Sequence, residues 1–282
     1  MFARLTEFMA LPRVELPQAM PGDEALYFII DTVLQPDAAR QLYGIGGAIE
    51  ARRLFLGTVF ESLAEYSPLW IKVEAGSDVA DLARDLCVSK RAGIVVGIAT
   101  TEEAAFKHAQ GLLQMRSAGA GDALARFYDP LFWSALALTA SGSQRAALFG
   151  PWRRVWTSAE PGDEATWLTW ENSVDSTATP TAAFPLSVSS EALGTHEDLR
   201  WFYWLCEQRE AMQHTLLPES LPLVIDNLRL LASYGIQNGR HLQRLLPQLD
   251  RVPLTQQEDS MAVLNSSLPS YQKVQRLEGT KT

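Results

Sequence analysis

The chain has 282 residues, 47% of them hydrophobic and 20% charged, enough to bury a core without a metal or disulfide and too apolar for wholesale disorder. With 24 Lys and Arg against 33 Asp and Glu, the formal charge is -9. That sign repels phosphate backbones, and the basic pairs Arg52-Arg53 and Arg153-Arg154 are too short to override it, which excludes nucleic acid as the main ligand. Only two cysteines occur, Cys87 and Cys206; they exclude a disulfide framework and read as small buried hydrophobes. The first residues carry an acid early, at Glu7, unlike a secretory signal. No apolar run approaches the length of a membrane span, so the expectation is a soluble protein of the reducing cytoplasm with no membrane partner.

Leu26-Tyr27-Phe28-Ile29-Ile30 is a continuous apolar run ending at Asp31, as expected of a strand covered on both faces. Pro36 opens a helical stretch through Leu42. Leu54-Phe55-Leu56 reads as a second strand, with a brief helix near residues 59–66, and Leu69-Trp70-Ile71-Lys72-Val73 as a third strand. Ser77 or Asp78 caps a helix with Val79, Leu82 and Leu86 on one face. Ile94-Val95-Val96-Gly97-Ile98-Ala99 is the fourth strand. Thr100 and Glu103 form a capping box for a helix that turns Ala105, Phe106, Ala109, Leu112 and Leu113 inward. A loop rich in Gly and Ala leads to Leu124-Ala125-Arg126-Phe127-Tyr128 as a fifth strand, and Asp129-Pro130 supplies an N-cap and first helical position. Strand alternating with helix predicts an α/β lobe with a largely parallel sheet.

Glu160-Pro161-Gly162-Asp163 and the Ser/Thr/Pro-rich stretch over 173–185 are turn and linker signals. Between them Thr166-Trp167-Leu168-Thr169-Trp170 alternates like a strand, read with both tryptophans on one face. From Glu191 the chain looks helical, and Trp201-Phe202-Tyr203-Trp204-Leu205 makes its first helix apolar all round. Pro222 opens the next helix, Gly235 closes it, and Asn238 caps a short one carrying Leu242, Leu245 and Leu246. Beyond Asp250 the sequence is polar and reads as a mobile tail. The expected division is an α/β domain over 20–157, a linker with a possible short strand over 158–190, a mostly helical lobe over 191–250 and a tail over 251–282.

His108, His196, His214 and His241 show no metal-pair spacing, and neither a nucleophile elbow nor a phosphate-binding loop occurs. Ser143 and Ser187 have no evident base. Gly44-Ile45-Gly46-Gly47 follows a helix, where a dinucleotide fingerprint follows a strand, and so reads as a turn. No metal or cofactor is expected. Asp31 ends a central strand, where α/β sheets place ligands, and Arg126 and Asp129 flank another strand end. An Asp31–Arg126 ion pair accounts for the first two without chemistry. Glu61, Glu65, Glu102 and Glu103 read as solvated helix faces. Trp167, Trp170, Trp201 and Trp204 suit core packing singly; together, beside a proline-rich stretch, they suggest an aromatic protein-binding groove.

Several segments taken in order resemble a bacterial family of effector chaperones, or adaptors, of the type VI secretion system. They are Tyr27-Phe28-Ile29-Ile30-Asp31, Leu54-Phe55-Leu56-Gly57-Thr58, Pro68-Leu69-Trp70-Ile71-Lys72-Val73, the hallmark-like Arg126-Phe127-Tyr128-Asp129-Pro130, and Leu148-Phe149-Gly150-Pro151 followed by Trp156. The chain departs from the family at His108-Ala109-Gln110, where His-Leu-Arg is common, and at Ser67, where Gly is common. The resemblance implies an α/β lobe followed by a helical lobe, with Asp31, Arg126, Tyr128 and Asp129 in structural roles. It implies a protein without an active site that binds a secreted effector in the cytoplasm and loads it onto the VgrG spike. Two other readings stand beside it: a small α/β hydrolase or nucleotide-using enzyme centred on Asp31, Arg126 and Asp129, and an immunity protein that blocks a toxin.

Overall fold

The computed structural model describes every residue except 1, 19, 21–23, 47–48, 118–120, 160–165, 173–182, 209–217 and 280–282. Gly47, His214, the turn at 160–163 and most of the Ser/Thr/Pro-rich stretch therefore lie outside the described residues. The chain forms two compact units, Ala3–Leu199 and Arg200–Thr282, the second joined by Phe2. The first unit takes in most of what the sequence suggested was a linker.

The first unit is built on a six-stranded sheet. Its strands are β1 (Ala25–Ile30), β2 (Ala51–Arg53), β3 (Leu69–Val73), β4 (Gly93–Ile98), β7 (Trp152–Ser158) and β8 (Trp167–Glu171), in the spatial order β2-β3-β1-β4-β7-β8. Every ladder in it is antiparallel, which corrects the expected largely parallel sheet. The crossovers are nonetheless real. Helix α2 (Ala38–Gly44) carries the chain from β1 to β2, which run the same way with β3 between them. Helix α3 (Asp78–Ser89) carries it from β3 to β4, which share a direction with β1 between them. Each crossover skips one strand and the skipped strand runs the other way, so alternation in sequence yields an antiparallel sheet.

β1 and β4 are buried along nearly their whole length, as their unbroken apolar runs require. On one face Leu26, Phe28, Ile30, Ile71 and Val95 pack with Ala38 and Leu42 of α2 and with Ala80, Ala83, Leu86 and Cys87 of α3. The opposite face is aromatic: the Trp70 ring lies 4.8 Å from Tyr27, 5.8 Å from Phe106 and 6.3 Å from Trp152. Helices α4 (Glu102–Leu112) and α5 (Pro130–Thr139) cover it, contributing Phe106 and Trp133. Asp129 caps α5 by accepting from the Leu131 and Phe132 N–H groups, with Pro130 in the first turn. The cap of α4 is Thr101, one residue later than the expected box at Thr100. Helix α6 (Gly142–Phe149) follows, and α1 (Ala3–Ala10) buries Leu5 and Phe8 near the start of the chain.

Three strand assignments from sequence change. β2 occupies residues 51–53, and Leu54-Phe55-Leu56 forms the turn after it, with Leu54 and Phe55 buried as plugs. Residues 125–129 are a turn entering α5, and the strands nearby are the hairpin β5 (Gln114–Ser117) and β6 (Gly121–Leu124). Strand β9 (Leu186–Val188) runs parallel to β5 and completes this smaller sheet. Trp167 and Trp170 lie on opposite faces of β8, because side chains three apart on a strand point opposite ways.

In the second unit α8 (Leu221–Ser233) buries Leu221, Val224, Ile225, Leu228 and Leu231. Asn227 donates to the Leu249 carbonyl at 2.8 Å and accepts from the Leu254 N–H at 2.8 Å, holding the chain that returns along the helix. Asn238 caps α9 (Gly239–Leu245). Helix α7 (Ser190–Glu207) contains the boundary between the units. The expected mobile tail is instead helix α10 (Glu258–Asn265) and helix α11 (Ser270–Gly279). Their apolar residues are sparse, but Leu264, Val274 and Leu277 are all buried, and Lys273 donates to the Leu264 carbonyl at 2.7 Å. Leu277→Ala should therefore destabilise the chain by about 2–4 kcal/mol, as for a buried leucine. Urea unfolding checks this; a substitution without effect would mean α11 is not packed.

Candidate functional site

The chemistry-bearing residues singled out from sequence meet where β1 ends. Asp31 is 2% exposed. Its backbone is pinned by donation to the Ala92 carbonyl at 2.7 Å. One carboxylate oxygen accepts the Val33 N–H at 2.9 Å and the other pairs with the Arg126 guanidinium. Burial works against the Arg126 charge, and Asp31 more than restores it, so the guanidinium is held above its ordinary value. Burial, with the Asp31 charge second, pushes the Tyr128 hydroxyl up and keeps it protonated. Asp129 is occupied as the helix cap. The cluster brings Asp31, Arg126, Tyr128 and Asp129 together, and each carboxylate already has its partners.

A chain of hydrogen bonds runs outward from this pair. Thr32 donates to the Ser67 carbonyl at 3.1 Å, and the buried Ser67 hydroxyl accepts from the Phe55 N–H at 2.9 Å. Gln110 donates to the carbonyls of Leu54 and Leu56, at 3.1 and 2.8 Å. The loops after β1 and β2 are thereby stitched together at one end of the sheet. Between β2 and β3 sits a 3-10 helix, Glu61–Tyr66, with no buried residue. Of the thirteen exposed large apolar side chains among the described residues, six are here: Val33, Leu34, Leu56, Val59, Leu63 and Tyr66. Leu63, where the backbone kinks out of helical geometry, and Tyr66 are both exposed on this element. Sequence reasoning missed this rim; its signal was Val59, Leu63 and Tyr66 on a short helix whose two glutamates drew attention instead.

The four tryptophans are distributed otherwise than the expected groove requires. Trp167 is fully buried among the α2/α3-side core residues, and Trp170 is buried with its indole N–H donating to the Thr157 hydroxyl at 2.9 Å. Neither ring is presented to a partner in this structure. Trp201 and Trp204 are half-buried on α7, in edge-to-face contact at 5.9 Å.

His108 is buried and hydrogen-bonded to the Leu148 carbonyl at 3.0 Å. Its ring lies so close to Gly150 that a Cβ there would come within 2.4 Å, and Gly150 has φ +50. Burial pulls its pKa down to about 4, which the Leu148 bond offsets only in part. A 260 Å³ cavity lies elsewhere, among the ends of α5, α6, β5 and β9; Ser143 and Ser187 line it together, with no acid or histidine among the lining residues. Among the described residues no group of three or more His, Cys, Asp or Glu is placed to hold a metal ion, and no helix is long and apolar enough to cross a membrane.

The stretch that carries β1, the stitched loops and the Arg126 turn is also where similarity to known sequences falls. Residues 26–147 match the model of a domain of unknown function, DUF4123. The DUF4123 match takes in Asp31, the apolar rim and residues 126–130. It stops short of Gly150 and of β7 and β8, which nonetheless complete the sheet beside β4. No curated protein and no solved structure matches the chain.

Two outcomes follow. Removing the Asp31 carboxylate with Asp31→Ala should cost about 1–3 kcal/mol, less than a fully enclosed pair because Arg126 is partly solvated. The Asp31→Asn/Arg126→Gln double variant should lose less than the two singles summed, and additive losses in urea unfolding would show that the two are not coupled. For His108, the folded pKa lies below the ordinary value near 6.5, so the folded state refuses a proton that the unfolded chain accepts. Stability should fall as pH drops from about 6.5 to 4, by roughly 3 kcal/mol, and His108→Gln should flatten that slope.

Proposed function

We propose that this chain is an adaptor of a type VI secretion system, holding an effector polypeptide in the cytoplasm and delivering it to the VgrG spike. The observation that carries the reading is the apolar rim. Six large side chains are exposed on loops and a 3-10 helix held by hydrogen bonds between them, so the surface is preorganised although it contributes little to the core. Preformed apolar surface of this kind lowers the ordering cost of gripping another chain. The DUF4123 match covers this stretch, and the segments that resemble effector chaperones fall mostly inside it.

The reading of Asp31 as a catalytic carboxylate has less support, because both its oxygens are engaged within the fold. Asp31→Asn tests it: on an enzyme reading the variant loses function while folded, whereas an adaptor that stays folded keeps it. Co-expression of the toxic effector with this chain alone addresses an immunity role, since an adaptor need not neutralise its cargo.

Tagged protein co-expressed with a candidate effector and a VgrG protein from the same genome should retain both through size exclusion. A chain that retains neither partner would overturn the proposal.

A further inference from the structure

Resting on that adaptor reading, we propose that the rim around the 3-10 helix is the cargo surface, and that its occupant is a short amphipathic client segment whose apolar side chains flank a carboxylate seated on Arg126. The rim is continuous by its own bonds. Asp31 touches both Val33 and Arg126, Thr32 reaches Ser67 beside Tyr66, and Ser67 reaches Phe55 beside Leu56. Val59, at 77%, is the most exposed of the large apolar residues. A helix that buries none of its residues is not held by its own apolar face, so that face is left over for something else.

Charge names the partner's chemistry. Asp31 takes part of the Arg126 guanidinium, and the side chain still stands 45% exposed; N–H donors of its five therefore remain turned to solvent. Lys90 donates to the Leu34 carbonyl at 3.1 Å and Arg53 to that of Ala64, so both cations are anchored in the same loops through neutral oxygens. At the edge along residues 31–34 the charges that face solvent are therefore Arg126 and Lys90, because the nearby carboxylates of Asp31 and Asp129 are engaged within the fold, while Glu61 and Glu65 lie on the 3-10 helix, Glu61 accepting from the Gly57 N–H at 3.1 Å. An apolar segment with an acid toward Arg126 and Lys90 satisfies this edge, and an Arg fork recognises a carboxylate best. Size separates a client segment from a second copy. The six side chains expose on the order of a few hundred Å², well below the roughly 800 Å² per partner of a stable dimer.

The test uses the full chain and the effector that co-purifies with it. Val59→Glu and Leu63→Glu alter exposed positions, and should leave the thermal melt unchanged while weakening effector binding at least ten-fold by calorimetry. The Asp31→Asn/Arg126→Gln variant removes both charges without stranding either; it should also weaken binding and flatten its dependence on salt. Undiminished capture by folded Val59→Glu and Leu63→Glu proteins would overturn the assignment while leaving the adaptor reading standing. A change in oligomeric mass by light scattering, with capture intact, would give the rim to a second copy and overturn it too. If the unaltered chain retains no effector, both readings fall together.

Discussion

A carboxylate buried at the end of a strand that is itself buried on both faces must be satisfied by protein, and the arrangement at Asp31 follows from that requirement. β1 lies between β3 and β4, and Asp31 at its end is 2% exposed. Asp31 finds one partner locally, in the Val33 N–H, and the other in Arg126, ninety-five positions along the chain. The first bond shapes the loop that carries Val33 and Leu34. The second ties the turn before α5 to the same place, so a single side chain couples the centre of the sheet to its outer rim. A buried pair of this kind adds little net stability; its value lies in registration.

What was legible in the sequence is what depends on local chemistry. The unbroken apolar runs of β1 and β4, the Ser77-Asp78 pair at the start of α3, and Asp129-Pro130 at the start of α5 each state their structure within a few residues. Strand direction is not local. Nothing in α2 or α3 says that the strand skipped by each crossover will run the opposite way, and a parallel sheet was the natural reading of the same pattern. The helices beyond residue 257 were hidden because both are short and carry few apolar residues; Val274 and Leu277 sit one turn apart on α11, but two such positions do not mark a buried face until neighbouring elements supply the other half of the core. Trp167 and Trp170 show the converse. The strand was read correctly but with both on one face; a spacing of three on a strand separates them, and each is absorbed by a different layer.

The two places where the chain departs from the effector-chaperone pattern its segments resemble both hold backbone. Ser67 is fully buried, and its hydroxyl receives the Phe55 N–H that would otherwise face an apolar interior. Gln110 holds the carbonyls of Leu54 and Leu56, so the neutral amide secures the turn after β2 without introducing a charge there. Both act on the same loop, and both preserve its shape by hydrogen bonding to backbone.

The 3-10 helix Glu61–Tyr66 is fastened at its flanks and contributes nothing to the interior. Its side chains can therefore be exchanged with little effect on whether the domain folds, in contrast to β1 or the buried face of α4, where a substitution is felt by close-packed neighbours. If the rim grips a client as proposed, the 3-10 helix supplies contact surface on which the fold itself does not depend. Such a division would let the outer contacts of this segment change while the framework beneath stays the same.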